Sequence, residues 1–302
     1  MPPLNITSPL FVHHMAALDD QPYLPNSLEA IQANLQASAE FIEVDINALA
    51  NGDYLLVHES ELEAETSGQG AVIACTPEKA QTLTIKHHGA SSQQRVPLLS
   101  EVVNLVLSTP GRSRLQLDFK NLIPFFNDEP LQRLMRLIEP LGDRVLVSTG
   151  ADWQLRKMRK LAPWLMLGFD IMLYIAWKPA DSPQEPDELP RQLGAYGYYD
   201  DHILASRAIW TKAEYLRDRC ESMVSLVPDV SVFYLEHNLI AQSLDDGFNW
   251  AEELHAYGIK LDAWTMDVTK PEAVKNAPRL LKAGVDLFTS NTPGALSKLL
   301  GL

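Results

Sequence analysis

Short apolar, β-rich runs alternate along the chain with longer amphipathic ones. LFVHH (10–14), FIEVDI (41–46), YLLVH (54–58), RLQLDFK (114–120), RVLVS (144–148), WLMLGFD (164–170), SMVSLV (222–227), KLDAWT (260–265) and DLFTS (286–290) read as strands. A helical pattern over 26–39 begins at Asn26 or Ser27, either of which can cap it, and others cover 97–107, 129–138, 152–161, 247–256, 271–283 and 293–300. Strands alternating with helices call for a parallel sheet, and this many units call for closure into a (β/α)8 TIM barrel. Two stretches break the rhythm. Residues 59–96 lack a clear period and read as a small insertion after the strand ending at His58. Residues 178–190, rich in Pro and acid, read as a solvated loop or an active-site lid. The expectation is one α/β barrel domain over 1–302.

Composition narrows the function. The 302 residues are 46% hydrophobic and 21% charged, as in an ordinary globular chain. A net charge of −14 argues against a nucleic-acid partner, whose phosphates demand a basic surface. A small anionic ligand would instead need a local metal ion or a focused lysine. Cys75 and Cys220 show no ligand or redox spacing and read as packed thiols. The N-terminal segment lacks a basic and then apolar leader, which points to the cytoplasm. Leu161 to Trp177 is the most apolar stretch, but it contains Pro163, Gly168 and Asp170, so no stable membrane insertion is expected.

Candidate chemistry starts at Glu43-Val44-Asp45. A spacing of two puts both carboxylates on one face of an otherwise apolar strand. Asp118-Phe119-Lys120 repeats the arrangement with an acid and a base. Three carboxylates converging from two strands would suit a hard cation such as Mg²⁺ or Ca²⁺, although an acid at a strand end is often a solvated rim residue. His58 and the adjacent pair His13 and His14 sit at strand ends, where imidazole can exchange protons near neutral pH. Only one of His13 and His14 can face inward, and periodicity does not say which. His87, His88, His202, His237 and His255 receive no role, and Glu236-His237-Asn238 reads as surface. No nucleophilic triad, phosphate-cradling glycine loop or zinc signature is present.

The ordered set His13, Asn26-Ser27, Glu43-Val44-Asp45, Val57-His58-Glu59 and Asp118-Phe119-Lys120 resembles the glycerophosphodiester phosphodiesterase family. That family shows His-Arg-Gly, Glu-Asn-Thr, Glu-x-Asp, His-Asp and Glu-x-Lys in this order. Val96-Pro97-Leu98, LVSTGADWQLRKMRKLAP (146–163), Ala263-Trp264-Thr265-Met266 and AGVDLFTSNTPGAL (283–296) extend the likeness over nearly the whole chain. The resemblance implies hydrolysis of a small-molecule phosphodiester with one divalent cation. Glu43, Asp45 and Asp118 would hold the metal, His13 and His58 would be acid and base, and Lys120 would bind phosphate. His14 and Trp264 would contact the substrate, Trp264 by walling a glycerol pocket or merely topping the barrel core. Set against the family pattern, His14 replaces Arg, Met15 replaces Gly, Pro25 replaces Glu and Asp118 replaces Glu. The altered phosphate contacts imply an unusual substrate preference. They leave two alternatives, a catalytically weak phosphate- or metal-binding barrel and a lysophospholipase-D-like enzyme with residues 171–177 receiving an acyl chain.

Overall fold

The computed structural model describes residues 8–19, 21–87, 89–179 and 191–302. Eight strands supply the barrel: β1 (Leu10–His13), β2 (Phe41–Ala48), β3 (Arg114–Phe119), β4 (Val145–Thr149), β5 (Met166–Asp170), β6 (Val232–Glu236), β7 (Lys260–Trp264) and β8 (Leu287–Ser290). Each pairs in parallel with its neighbours in chain order, and β1 pairs with both β2 and β8, which closes the ring. This is the (β/α)8 TIM barrel that the alternating pattern predicts.

Alternation along each strand sorts side chains into two layers. Ile42, Val44 and Ile46 of β2, with Leu115, Leu117 and Phe119 of β3, join the large core between barrel and helices. Val12, Phe41, Leu146, Met166, Val232 and Leu287 form a smaller cluster within the ring. Burying both faces explains why the strands are so continuously apolar. Gly168 of β5 is required by close approach: a Cβ there would lie 2.4 Å from the Tyr234 ring. Ser27 caps the first helix (Leu28–Gln36) by accepting a hydrogen bond from the Ala30 amide.

Two predicted strands are corrected. YLLVH contributes only Tyr54–Leu55, paired antiparallel to the end of β2, so His58 lies on a loop and not on a barrel strand. SMVSLV is the last part of a helix, Lys212–Leu226, and the sixth barrel strand is VFYLE, Val232–Glu236. In the helix Met223 and Cys220 face the core, a burial that a short apolar run cannot distinguish from a strand. Within 59–96, Leu62, Val72, Cys75, Leu83 and Ile85 pack with Leu55, Val57, Val96 and Leu98 in a separate small core. Cys75 and Cys220 are free and buried. The predicted loop or lid at 178–190 lies, from residue 180 on, outside the described residues. No helix among the described residues is long and apolar enough to cross a membrane.

Candidate active site

Since Phe41 belongs to the inner cluster and Ile42, Val44 and Ile46 to the outer one, Glu43 and Asp45 face the interior of the ring. The β2–β3 register sets Asp45 opposite Asp118. One oxygen from each of Glu43, Asp45 and Asp118 therefore lies within 4.8 Å of the others. Lys120 Nζ stands 2.6 Å from Asp118 Oδ2 and 3.0 Å from Asp45 Oδ1, the second contact lying off the line of a hydrogen bond.

Each carboxylate is held differently. Glu43 Oε2 accepts the Met15 amide at 2.6 Å, while its Oε1 is buried with no hydrogen-bond partner. Asp45 exchanges two bonds with Asn26, accepting from Nδ2 at 3.0 Å and donating its amide to Oδ1 at 3.2 Å. Asp118 Oδ1 accepts from Ser148 Oγ at 3.5 Å. Burial, reinforced by the charges of Asp45 and Asp118, holds the Glu43 carboxyl well above its ordinary range. At Asp45 burial also pushes upward, but Lys120, His58 and the Asn26 bond outweigh it and the net shift is down. Lys120 is shifted up, its burial overcome by Asp118, Asp45 and Glu43. One ammonium does not balance three carboxylates, and Glu43 Oε1 and Asp45 Oδ1 are both buried without a hydrogen bond. An all-oxygen set with this imbalance fits a hard divalent cation.

Of the two adjacent histidines, the cavity receives His14. Phe11 joins the outer core and stacks on Phe288, so His13 also falls on the outer side of β1, where its Nδ1 donates to the Ala17 carbonyl at 2.9 Å. Burial pulls its imidazole below the usual pKa. The chain turns directly after His13, through left-handed Met15 and Ala16, and His14 lines the cavity with Nδ1 2.9 Å from Asn291 Oδ1. Leu10, Phe11 and Val12 are all apolar and carry no in–out signal, which is why the choice was hidden. His58 lines the same cavity from its loop, with Nδ1 2.9 Å from Glu59 Oε1. Asn47 Nδ2 tethers that loop by donating to the carbonyls of Val57, His58 and Glu59.

The structure thus gathers Glu43, Asp118, Lys120, His14, His58 and Trp264 around one cavity of about 310 Å3, with Asp45 buried beside Glu43 and Asp118 and His13 turned away. It adds Asp170 and Tyr234 to the wall. Asp170, noticed in the sequence only as a break in an apolar run, is pushed up to about 7 by burial and accepts the Met172 amide at 2.9 Å. The Tyr234 hydroxyl is buried without a partner and lies on the strand that the sequence reading displaced. Asn26, legible as a helix cap and as part of the Asn26-Ser27 motif, is also the partner of Asp45. Glu236 is half-buried: it ends β6, accepts the amides of Asn238 and Leu239, and adjoins His237, which is buried and not at the surface. Met172 and Trp264 also wall a second cavity of about 340 Å3, lined by Ile171, Ile175, Trp177, Leu235 and Leu239 among others.

Residues 16–295 match the family described as glycerophosphoryl diester phosphodiesterase. A glycerophosphodiester phosphodiesterase of Caldanaerobacter subterraneus is 24% identical over 278 residues, covering 91% of each chain. Among solved structures, a glycerophosphodiester phosphodiesterase from Parabacteroides distasonis superimposes with a TM-score of 0.66 at 13% identity, over 98% of both chains. A phosphodiesterase from Oleispira antarctica, solved with its product sn-glycerol-3-phosphate, gives 0.62 at 15% identity, also over 98% of both. At these identities the structural likeness speaks for the fold.

Proposed function

The chain belongs to the glycerophosphoryl diester phosphodiesterase family and is a phosphoric diester hydrolase; from this we propose that it cleaves a glycerophosphodiester, or a related alkyl or sugar phosphodiester. The products are an alcohol and a phosphomonoester such as glycerol phosphate. Residues 1–302 act as one catalytic domain, with 59–96 an insertion beside the mouth. Glu43, Asp45 and Asp118 hold one divalent cation, Mg²⁺ or Ca²⁺. When bound, such an ion polarises phosphoryl oxygens and offsets substrate charge. The observation that carries the reading is the cluster of three inward carboxylates, two of its oxygens buried without a hydrogen bond, at a cavity that two histidines also line.

The chain's own groups supply the proton chemistry. His14 and His58 both have Nδ1 engaged, which leaves Nε2 of each for the substrate. One imidazole takes a proton from the attacking hydroxyl, of water or of the substrate itself, and the other protonates the departing alkoxide. His14 therefore takes the role that the resemblance implied for His13. Lys120 meets a phosphate oxygen while remaining paired with Asp118. Trp264 borders the organic part of the substrate. A second reading, a lysophospholipase-D-like preference, draws on the adjoining apolar cavity at Trp177 and Ile175.

The test is hydrolysis by chelator-stripped protein of glycerophosphocholine, glycerophosphoethanolamine, a lysophospholipid and a sugar phosphodiester, with Mg²⁺, with Ca²⁺ and with neither. Metal-dependent release of a phosphomonoester is expected. Ligand-dependent thermal stabilisation with no turnover on any substrate would instead identify a binding barrel.

A further inference from the structure

Strand β8 runs parallel to β1 with Ser290 opposite His13, so the next residue of each strand, Asn291 and His14, come side by side. Their contact is specific: His14 Nδ1 lies 2.9 Å from Asn291 Oδ1. Asn291 is itself fixed from the other side by Asp267. Its backbone amide donates to Asp267 Oδ1 at 2.8 Å and its side-chain Nδ2 to Oδ2 at 3.0 Å. Asp267 is buried at 6% exposure and also receives the Ser290 hydroxyl at 3.4 Å.

The chemistry of these groups leaves one arrangement. An ionised carboxylate only accepts hydrogen bonds, so the amide nitrogen of Asn291 must face Asp267. Rotating the amide would set its oxygen against the carboxylate and break the bond. The oxygen therefore faces His14, and an oxygen acceptor there requires a proton on Nδ1. The ring's second nitrogen, Nε2, then carries the lone pair in the neutral ring. We infer that Asn291, clamped by Asp267, is a positioning residue that holds the His14 proton on Nδ1 and keeps Nε2 as the proton-exchanging atom. The orienting group is a neutral amide, so it fixes the tautomer and ring angle without placing a second charge beside the acid cluster. His58 is oriented differently, by the Glu59 carboxylate, so the two imidazoles of the cavity are not equivalent.

This inference rests on the reading of His14 as an acid–base group, and its test can be read without turnover. Two-bond proton–nitrogen NMR spectra of the full chain labelled with ¹⁵N-histidine report which ring nitrogen is protonated. His14→Gln identifies the His14 signals, and neutral rings are selected at alkaline pH. The wild type is expected to carry the His14 proton on Nδ1. In Asn291→Ala the proton moves to Nε2 in most molecules, and kcat falls by roughly 100-fold or more, toward the roughly 10⁴-fold seen when a triad histidine loses its tautomer. KM changes by less than about threefold, since an interaction of the transition state alone is lost. The exchanged pair Asn291→Asp with Asp267→Asn again places one acceptor toward His14, and it restores the Nδ1 proton. A wild-type His14 protonated on Nε2 would overturn the inference even if every variant failed to fold. So would an Asn291→Ala protein with unchanged tautomer. If the tautomer follows Asn291 but no phosphodiester is hydrolysed, the positioning geometry stands and the proposed function falls.

Discussion

Glu43 holds two unlike oxygens, one bonded to the Met15 amide and one buried with nothing to accept from. A charge in that position, crowded by Asp45 and Asp118, stabilises the fold poorly when no cation is bound. Glu43→Gln should therefore abolish turnover yet raise the stability of the metal-free protein by about 1–3 kcal/mol, read from urea unfolding at neutral pH. Lower stability in the variant would contradict the assignment of Glu43 as a crowded buried acid. Asp262, deeper in the ring, gives a pH-dependent counterpart. Burial pushes its carboxyl up to about 8, against the Thr289 hydroxyl, which donates to it. A raised folded pKa means that the native state binds the extra proton. Stability is then full below the ordinary carboxylate pKa of about 3.9, falls as pH rises, and levels off above the folded value. Asp262→Asn removes that titration. The variant's stability advantage should grow between about pH 4 and 8, by up to about 1.4 kcal/mol per unit, and stay constant beyond. A pH-independent difference would show that Asp262 is ionised in the native barrel.

Most elements are legible because burial on two faces leaves a plain signal. β2, β3, β4, β5, β7 and β8 appear as apolar runs within a residue or two of their bounds, and five of the helices between and after them appear as amphipathic patterns just as closely. The failures have a common cause. SMVSLV and YLLVH are short apolar runs without flanking structure to arbitrate, and one is the end of a helix while the other extends a hairpin. The displaced strand took Tyr234, on the wall of the site cavity, and Glu236, on the wall of the second cavity, with it. The inward carboxylates were legible because the spacing of two in Glu43-Val44-Asp45, and again in Asp118-Phe119-Lys120, matches the strand period. Choosing His14 over His13 required knowing which way β1 faces. Asp267 and Asn291, 24 positions apart, meet only through the β7–β8 pairing and offered no local pattern. Packing inside the ring is tight enough to test at β5. Gly168→Ala places a methyl against the Tyr234 ring, with Ser148 Cβ at 3.1 Å behind it, so neither neighbour can yield freely. A loss of about 1–3 kcal/mol in urea unfolding is expected, with turnover reduced as Tyr234 shifts. An unchanged midpoint would mean that the barrel interior is looser than described.

At the scale of the whole molecule, the chemistry gathers at the C-terminal ends of the strands, as loops over a closed barrel require. Glu43, Asp45 and Asp118 come from adjacent strands, His14 from the turn after β1, His58 from the tethered loop after the hairpin, and Trp264 from the end of β7. Beside this centre lies the second, more apolar cavity, which shares Met172 and Trp264 with it. With a net charge of −14, the protein would depend, under the proposed function, on a local cation and on Lys120 to attract a phosphodiester. His13, the last residue of β1, faces the outer core, while the turn that follows it brings His14 to the cavity. The most direct test is the initial rate of metal-supplied hydrolysis by the wild type, His14→Ala and His13→Ala, measured on the best substrate of the panel. A drop of roughly 100-fold or more is predicted for His14→Ala, with His13→Ala retaining most of kcat in its folded fraction. The reverse pattern, His13 essential and His14 dispensable, would contradict the site described.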